Sequence, residues 1–463
     1  MEKETRLGEL LRSFSAADHR RAGQFLQLPE VNRREDVRRL YELLRHSIGR
    51  KKAPNDAELF AQIYPNRPYD DQQLRLLRSY LFKCLERFLI FQECTDDTDT
   101  SDLLLLRAYQ KRKLQRHLQS TLDRQEKRFR SSTRRPAETH LTRHLRERER
   151  ATLLARGNRT AELNLQSVED SLDRAFWAFK LRQACTSRSH ERVVRTRYEL
   201  RLIDEILAIS KDDPTPAVAV YRSCYVALFK EPVEENFRNF RQLLTRHADC
   251  FPETERRSLY LLALNYCIRQ INENQALYLR EAFDLYRSGL DSGILLENGR
   301  LSSFTFANAA GIALRLGELQ WTEQLLDRHA PALPPGERDT TIALNRARLH
   351  FARNEYADAQ IALQAADTND PINAMNARIL QLKIYRKTQE RQAYEHLLHA
   401  SQRFVDRHRD SYHYGVWRNI LHYLRRLHEL NPHDDKARRT LYEEVATAEQ
   451  LMERDWLLRE LEL

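Results

Sequence analysis

The sequence predicts an all-α chain: a helical N-terminal module followed by an α-solenoid of antiparallel helix pairs. Three observations carry that expectation. Gly and Pro number only 11 and 14 in 463 residues, against usual frequencies of about 7% and 5%, which leaves few residues for tight β-turns. Apolar side chains recur at helix-face spacing, as at Leu7, Leu10, Leu11 and Phe14. One helix-turn-helix pattern also occurs three times between Leu261 and Ala366. In each copy an Asn (Asn265, Asn308, Asn345) precedes by two residues a small side chain (Cys267, Ala310, Ala347) and by nine a turn former (Asn274, Gly317, Asn354). Apolar residues follow at Ala276, Leu319 and Tyr356 and again at Phe283, Leu326 and Leu363. A unit of this size cannot bury its apolar face alone, so such units stack.

Taken in order, residues 1–95 read as the N-terminal module. Three helices are expected, from Thr5 to Phe14, Ala16 to Leu26 and Arg34 to His46, with Ser15 and Asn32 as N-caps of the second and third. Gly49 to Asn55 reads as a linker, Asp56 to Ile63 as a short helix, and Asp70 and Asp71 as the acidic start of a long helix to Gln92. Cys94 to Ser101 reads as a second linker. Residues 102–211 form a basic, long-helix middle region. Leu114, Leu118, Leu122 and Phe129 mark a narrow apolar stripe on its first helix. A break at Ser131 to Pro136 precedes a second basic helix ending at Gly157, a suitable C-cap. An apolar helix carrying Phe176, Trp177 and Leu181 and another from His190 to Ile209 complete the region.

Lys211 to Pro216 marks the boundary to the solenoid, residues 217–463. Its helix pairs are expected at 217–229 with 233–248, 253–271 with 274–288, 302–316 with 319–329, 338–352 with 355–366, 371–387 with 389–407 and 411–430 with 433–461. The last helix, with Glu443, Glu444, Glu449 and Glu453 between apolar positions, suits a capping helix with a wet outer face.

The unit from Thr340 resembles a tetratricopeptide repeat. Ala347, Phe351, the turn Arg353-Asn354-Glu355-Tyr356, Ala359, Leu363, Ala366 and Pro371 stand at that family's offsets. The Gly317 unit is similar with Thr322 where Ala is usual, and the Leu261 unit, with Leu279 there, matches in outline. The resemblance implies a superhelix whose first helices line a concave groove for a peptide or a partner's helix. Asn265, Asn308 and Asn345, with Arg348 beyond the last, are then the candidate groove contacts, because a carboxamide both donates to and accepts from a peptide backbone. The alternative is that these Asn residues bond neighbouring helices. The family's carboxylate clamp adds a basic residue four positions earlier, where this chain has Leu261, Phe304 and Thr341.

Net charge is +10, and residues 107–159 hold 17 Lys and Arg against 5 Asp and Glu. Lys111, Arg112, Lys113, Lys127, Arg128, Arg134 and Arg135 are the candidate contacts to phosphates or to an acidic protein. The bland alternative is a solvated face. The pairs His140 with His144 and His396 with His399 have helical spacing but neither the Glu of a metalloprotease pattern nor a nearby Cys, so no metal is assigned. Phosphate loops, nucleophile elbows and dinucleotide Gly patterns are missing, which argues against an enzyme and gives no cofactor. Six scattered cysteines without a Cys-x-x-Cys pair read as reduced. No leader and no apolar run of about 18 residues is seen, so a cytoplasmic protein without a membrane span is expected. The function expected is a non-enzymatic scaffold that binds a protein in the groove. A nucleic-acid-binding accessory protein and a structural subunit of a larger assembly are the alternatives.

Overall fold

The computed structural model describes residues 5–48, 55–157, 162–192, 194, 196–367, 369–411, 413–431 and 433–462. Among these the chain is all-α, with 23 α-helices and, for β pairing, one isolated bridge between Glu297 and Arg300. The linker expected at Gly49 to Asn55 lies outside the described residues apart from Asn55. The chain forms two compact units, Met1–Thr133 with Glu138–Ala175, and Arg134–Ala137 with Phe176–Leu463. One edge of the division falls in the break read at Ser131 to Pro136, and another within the helix Leu165–Glu191.

Unit 1 holds α1 (Arg6–Ser13), α2 (Ala16–Phe25), α3 (Glu35–Ser47), α4 (Asp56–Ile63), α5 (Asp71–Asp96), α6 (Thr98–Lys111), α7 (Gln115–Ser131), nearly all of α8 (Ala137–Gly157) and the start of α9 (Leu165–Glu191). Ser15 with Asp18 and Asn55 with Glu58 form capping boxes that start α2 and α4. Asn32 does not cap α3. Its amide donates to the Leu26 and Arg34 carbonyls, at 3.2 and 2.9 Å, and the cap position falls to Arg34. Tyr41, Phe60, Leu74 and Leu85 lie in the apolar core of α1–α5.

Two expectations in this unit need correction. Cys94 to Ser101 is no linker: only Asp97 interrupts the helix, and its carboxylate caps α6 by accepting from the Asp99 amide at 3.0 Å. The helix expected to run on from Asp102 breaks at Arg112 to Leu114. There Lys113 takes a left-handed φ of 58°, the Leu114 amide returns to the Tyr109 carbonyl and the Lys113 amide to Gln110. This is a Schellman ending without the usual glycine.

Unit 2 continues α9 and adds α10 (Ile203–Ile209), α11 (Pro216–Tyr225), a π turn at Val226–Lys230, and α12 (Glu234–Arg246). The expected 190–209 helix is split. α9 stops at Glu191, whose carboxylate accepts from the Tyr198 amide at 2.5 Å, and Leu202 takes a φ of 63° before α10. Then come α13 (Glu253–Asn272), α14 (Leu277–Asp291), α15 (Ser303–Arg315), α16 (Leu319–His329), α17 (Pro335–Ala352), α18 (Tyr356–Gln364), α19 (Pro371–Lys387), α20 (Arg391–Arg407) and α21 (Tyr414–Glu429). Each helix packs on the next, and α15, α17 and α19 also pack one on another.

The recurring turn has one cause. Asn274, Gly317, Asn354 and Gln389 have φ of 68°, 76°, 63° and 62°. In each case the following amide bonds the carbonyl five residues back, at Gln270, Ala313, His350 and Tyr385. Four Schellman endings thus turn four helices back on their partners. The long last helix is not formed. α22 (Asp435–Thr447) and α23 (Arg454–Leu461) are separated by residues 448–453, in which Gln450 and Glu453 have φ of 50° and 59°.

Candidate functional site

The first helices of successive pairs carry the three asparagines, and the structure treats them unequally. Asn265 and Asn308 are exposed. The Asn308 carboxamide is also within hydrogen-bonding reach of the Tyr286 phenol, whose pKa burial pushes up and this bond pulls down. Asn345 is 1% exposed. Its amide donates to the Thr341 carbonyl at 2.8 Å and its oxygen accepts from Arg348 at 3.4 Å. Both of its polar ends are spent within α17, so it does not face solvent with the other two.

Asn308 belongs to a longer stripe that sequence reading missed. Phe304, Asn308, Gly311 and Arg315 recur at helical spacing along one face of α15. Phe304 is 73% exposed, and a Cβ added at Gly311 would meet nothing within 4 Å. An aromatic ring, an amide and a flat spot are therefore open to a ligand on one helix face.

The same face is covered at its other end. Asp455 accepts from Arg315 Nε at 2.9 Å, and Glu453 accepts from Lys383 Nζ at 2.7 Å. Glu460 accepts from Arg386 Nε at 3.0 Å and pairs with Lys387 Nζ at 2.5 Å. α15 and α19 thus hold α23 and its approach by charge, while Trp456, Leu457 and Leu461 are buried in the apolar cluster of α19–α21. The Lys383 ammonium, 7% exposed, stands 4.8 Å from the Phe351 ring centre and 5.2 Å from that of Trp456. Burial opposes the Glu453 charge, but Lys383, Arg348 and Arg315 outweigh it and hold the carboxyl below the ordinary range. Burial also pushes the Arg348 guanidinium down, with Glu453 acting against the shift. Of the eight charged groups here, Arg348 was a candidate contact from sequence and Glu453 was read only as part of the last helix. The pairs join positions 70 to 140 residues apart, for which a local motif gives no sign. Glu453, read as part of a wet outer face, is exposed and also pairs with Lys383.

The candidate residues of the basic segment differ in exposure and pairing. Lys111, Arg112 and Lys113 are exposed at the α6–α7 turn, and Lys127 is exposed on α7. Arg128 is paired with Asp102 at 3.0 Å and Asp99 at 3.5 Å. Arg134 and Arg135 belong to unit 2, where the Arg135 amide donates to the Cys250 carbonyl at 2.7 Å. Arg146, 4% exposed, lies inside unit 1 with Glu126 at 2.8 Å and Glu147 at 3.4 Å.

His140 is buried while His144 faces the Val168 carbonyl at 3.2 Å; His396 and His399 are exposed. Among the described residues His350, Glu355 and Asp358 bring three ligand atoms within 4.8 Å of one another. His350 and Glu355 already bond each other at 2.6 Å across the α17–α18 turn. All six cysteines are free thiols. No helix among the described residues is long and apolar enough to cross a membrane. In comparisons with known proteins, no family model matches the chain, and no curated protein or solved structure matches it significantly.

Proposed function

We propose that the chain is a non-enzymatic scaffold, resembling tetratricopeptide-repeat proteins, that binds a protein through the face of its first helices. The observation that carries this reading is the stripe of Phe304, Asn308, Gly311 and Arg315 on α15, open at one end and engaged by a peptide-like segment at the other. An exposed ring beside a carboxamide offers a partner both an apolar anchor and a backbone hydrogen bond. Asn265 and Asn308 are the contacts kept from the sequence reading; Asn345 serves α17. The nucleic-acid alternative has less support, because Arg128 is neutralised by two carboxylates.

The test is affinity purification of the full chain from its native cells at low and moderate salt, with and without nuclease, beside a Phe304→Glu, Asn308→Arg variant. One protein recovered with the wild-type chain in all conditions and lost with the variant is the expected result. Recovery that depends on nucleic acid, or that ignores the variant, overturns the reading.

A further inference from the structure

The segment from Glu449 to Glu462 has the composition of a ligand for the face it covers. It holds five acids and two arginines in fourteen residues. Its Glu453, Asp455 and Glu460 meet Lys383, Arg315, Arg386 and Lys387. Its apolar residues Trp456, Leu457 and Leu461 lie three, four and eight positions after Glu453, the spacing of an amphipathic helix laid in a groove. Charge and apolar contacts therefore converge on one side of this helix.

Its attachment to that face leaves local requirements unmet. The chain reaches α23 through two non-glycine residues in the left-handed region, Gln450 and Glu453, a conformation that side chains disfavour. Trp456 Nε1 and Arg454 Nε are buried without a hydrogen-bond partner, although indole and guanidinium donors are ordinarily satisfied when buried. The receiving side has a matching requirement. Lys383 is nearly enclosed, and a buried cation left without its carboxylate is strongly unfavourable, so whatever replaces Glu453 must bring an acid to the same place.

We propose that residues 449–462 are an exchangeable occupant of this face, and that the partner replacing them is an acidic amphipathic helix of another protein. The partner helix carries an acid that meets Lys383, an aromatic anchor three residues later and a second acid seven residues later for Arg386 and Lys387. It also extends along α15 toward Asn308 and Phe304, which the internal segment leaves open. This deepens the scaffold reading and rests on it.

The experiment uses the full chain and a fluorescein-labelled peptide of residues 449–462. A chain with Glu453→Lys and Asp455→Lys is expected to bind the peptide at least ten-fold more tightly than the wild-type chain, whose face is occupied. Adding Lys383→Glu to that chain is expected to abolish binding, and a peptide carrying Glu453→Lys to restore it. Equal binding by both chains, or none by the substituted chain at wild-type helicity, overturns the proposal. If the substituted chain does not fold, hydrogen exchange of the wild-type chain decides. Amides of α23 exchanging at least a hundred-fold faster than those of α19 and α21 support an exchangeable segment, and equal protection makes it a fixed part of the fold. Peptide exchange without any captured partner would count against the scaffold reading alone. Capture without exchange would count against this proposal alone.

Discussion

In unit 2, Phe237 stacks on Tyr266 at 5.0 Å, Tyr278 meets both rings edge-on, and Leu264, Phe283 and Phe306 are buried in the same cluster. In unit 1, at comparable depth on α6–α8, stand Asp102, Gln125, His140, Arg146, Glu147 and Glu149, each under 9% exposed. The apolar cluster there is small, with Leu106, Leu118 and Leu122 fully buried. Arg143 and Arg146 both stand over the Phe129 ring, at 5.0 and 5.2 Å. The difference teaches that a segment's charge balance does not locate its surface. Arg146, one of the cations that make residues 107–159 basic, is used inside the fold, and the partly exposed Arg124 and Arg128 pair with the buried Asp102 of α6.

The two interiors are expected to break differently, and the four tryptophans separate their signals, because Trp177, Trp321, Trp417 and Trp456 all belong to unit 2. The largest effect is expected from Arg146→Ala, which leaves the carboxylates of Glu126 and Glu147 without their buried cation and costs about 3–5 kcal/mol. Replacing Arg146→Met together with Glu126→Leu should recover part of that loss, since one desolvated carboxylate then disappears with the cation, while Glu147 keeps the Asn164 amide at 2.8 Å. Urea unfolding followed by far-ultraviolet circular dichroism should show the shift while tryptophan fluorescence stays near the wild-type curve. A double variant no better than Arg146→Ala would mean that packing, and not charge, sets the cost.

Leu264→Ala in unit 2 is the matched apolar lesion, expected to cost about 2–5 kcal/mol through lost burial and the cavity left behind. Here the fluorescence transition should move. No second substitution of a polar neighbour should rescue it, because there is no orphaned charge to remove. Fluorescence unchanged by Leu264→Ala would show that the tryptophans do not report the cluster around Tyr266.

Much of this architecture was legible in the sequence where a local rule governs it. The helix pairs were placed because Asn274, Gly317 and Asn354 are residue types that accept a left-handed φ, and α2 began where Ser15 can cap an amide. The break at Lys113 was hidden, because the same backbone conformation was imposed there on a residue type that gives no such signal. The gap between α22 and α23 was hidden in the same way by Gln450 and Glu453. Of the face proposed for binding, Asn265, Asn308 and Arg348 were candidates that the resemblance suggested. The cations Arg315, Lys383 and Arg386 were not, since their partners come from far along the chain. Asn345 occupied an equivalent repeat position but met its own helix carbonyl, a difference set by packing that its residue type does not disclose.

A smaller effect should appear with pH. Burial raises the Glu126 pKa, but Arg130 and Arg146 outweigh it, and the folded carboxyl is held below its ordinary value of 4.5. A carboxyl depressed on folding adds stability that is present above its unfolded pKa and is lost as pH falls through the folded value. The helicity signal of unit 1 should therefore weaken in that acid range, and the Glu126→Gln chain should show a shallower pH slope there. Glu453 is depressed in the same direction, by Lys383, Arg348 and Arg315 against its burial, so α23 should loosen in the same range. An identical acid slope in wild-type and Glu126→Gln chains would remove Glu126 from the account.

The smallest expected effect sharpens the comparison from the other side. The Arg315–Asp455 pair has good geometry, but its side chains are 39% and 49% exposed. Solvent and salt screen it, and such pairs contribute about 0.2–1 kcal/mol. Asp455→Asn should leave the fluorescence transition within about 1 kcal/mol of wild type, and the difference should vanish at high salt. The Arg146–Glu126 pair, 4% and 23% exposed, should keep its effect under the same salt. Two ion pairs of similar length would then differ in consequence by their burial alone. A salt-resistant loss at Asp455 would instead mean that Asp455 holds α23 in place by more than its charge.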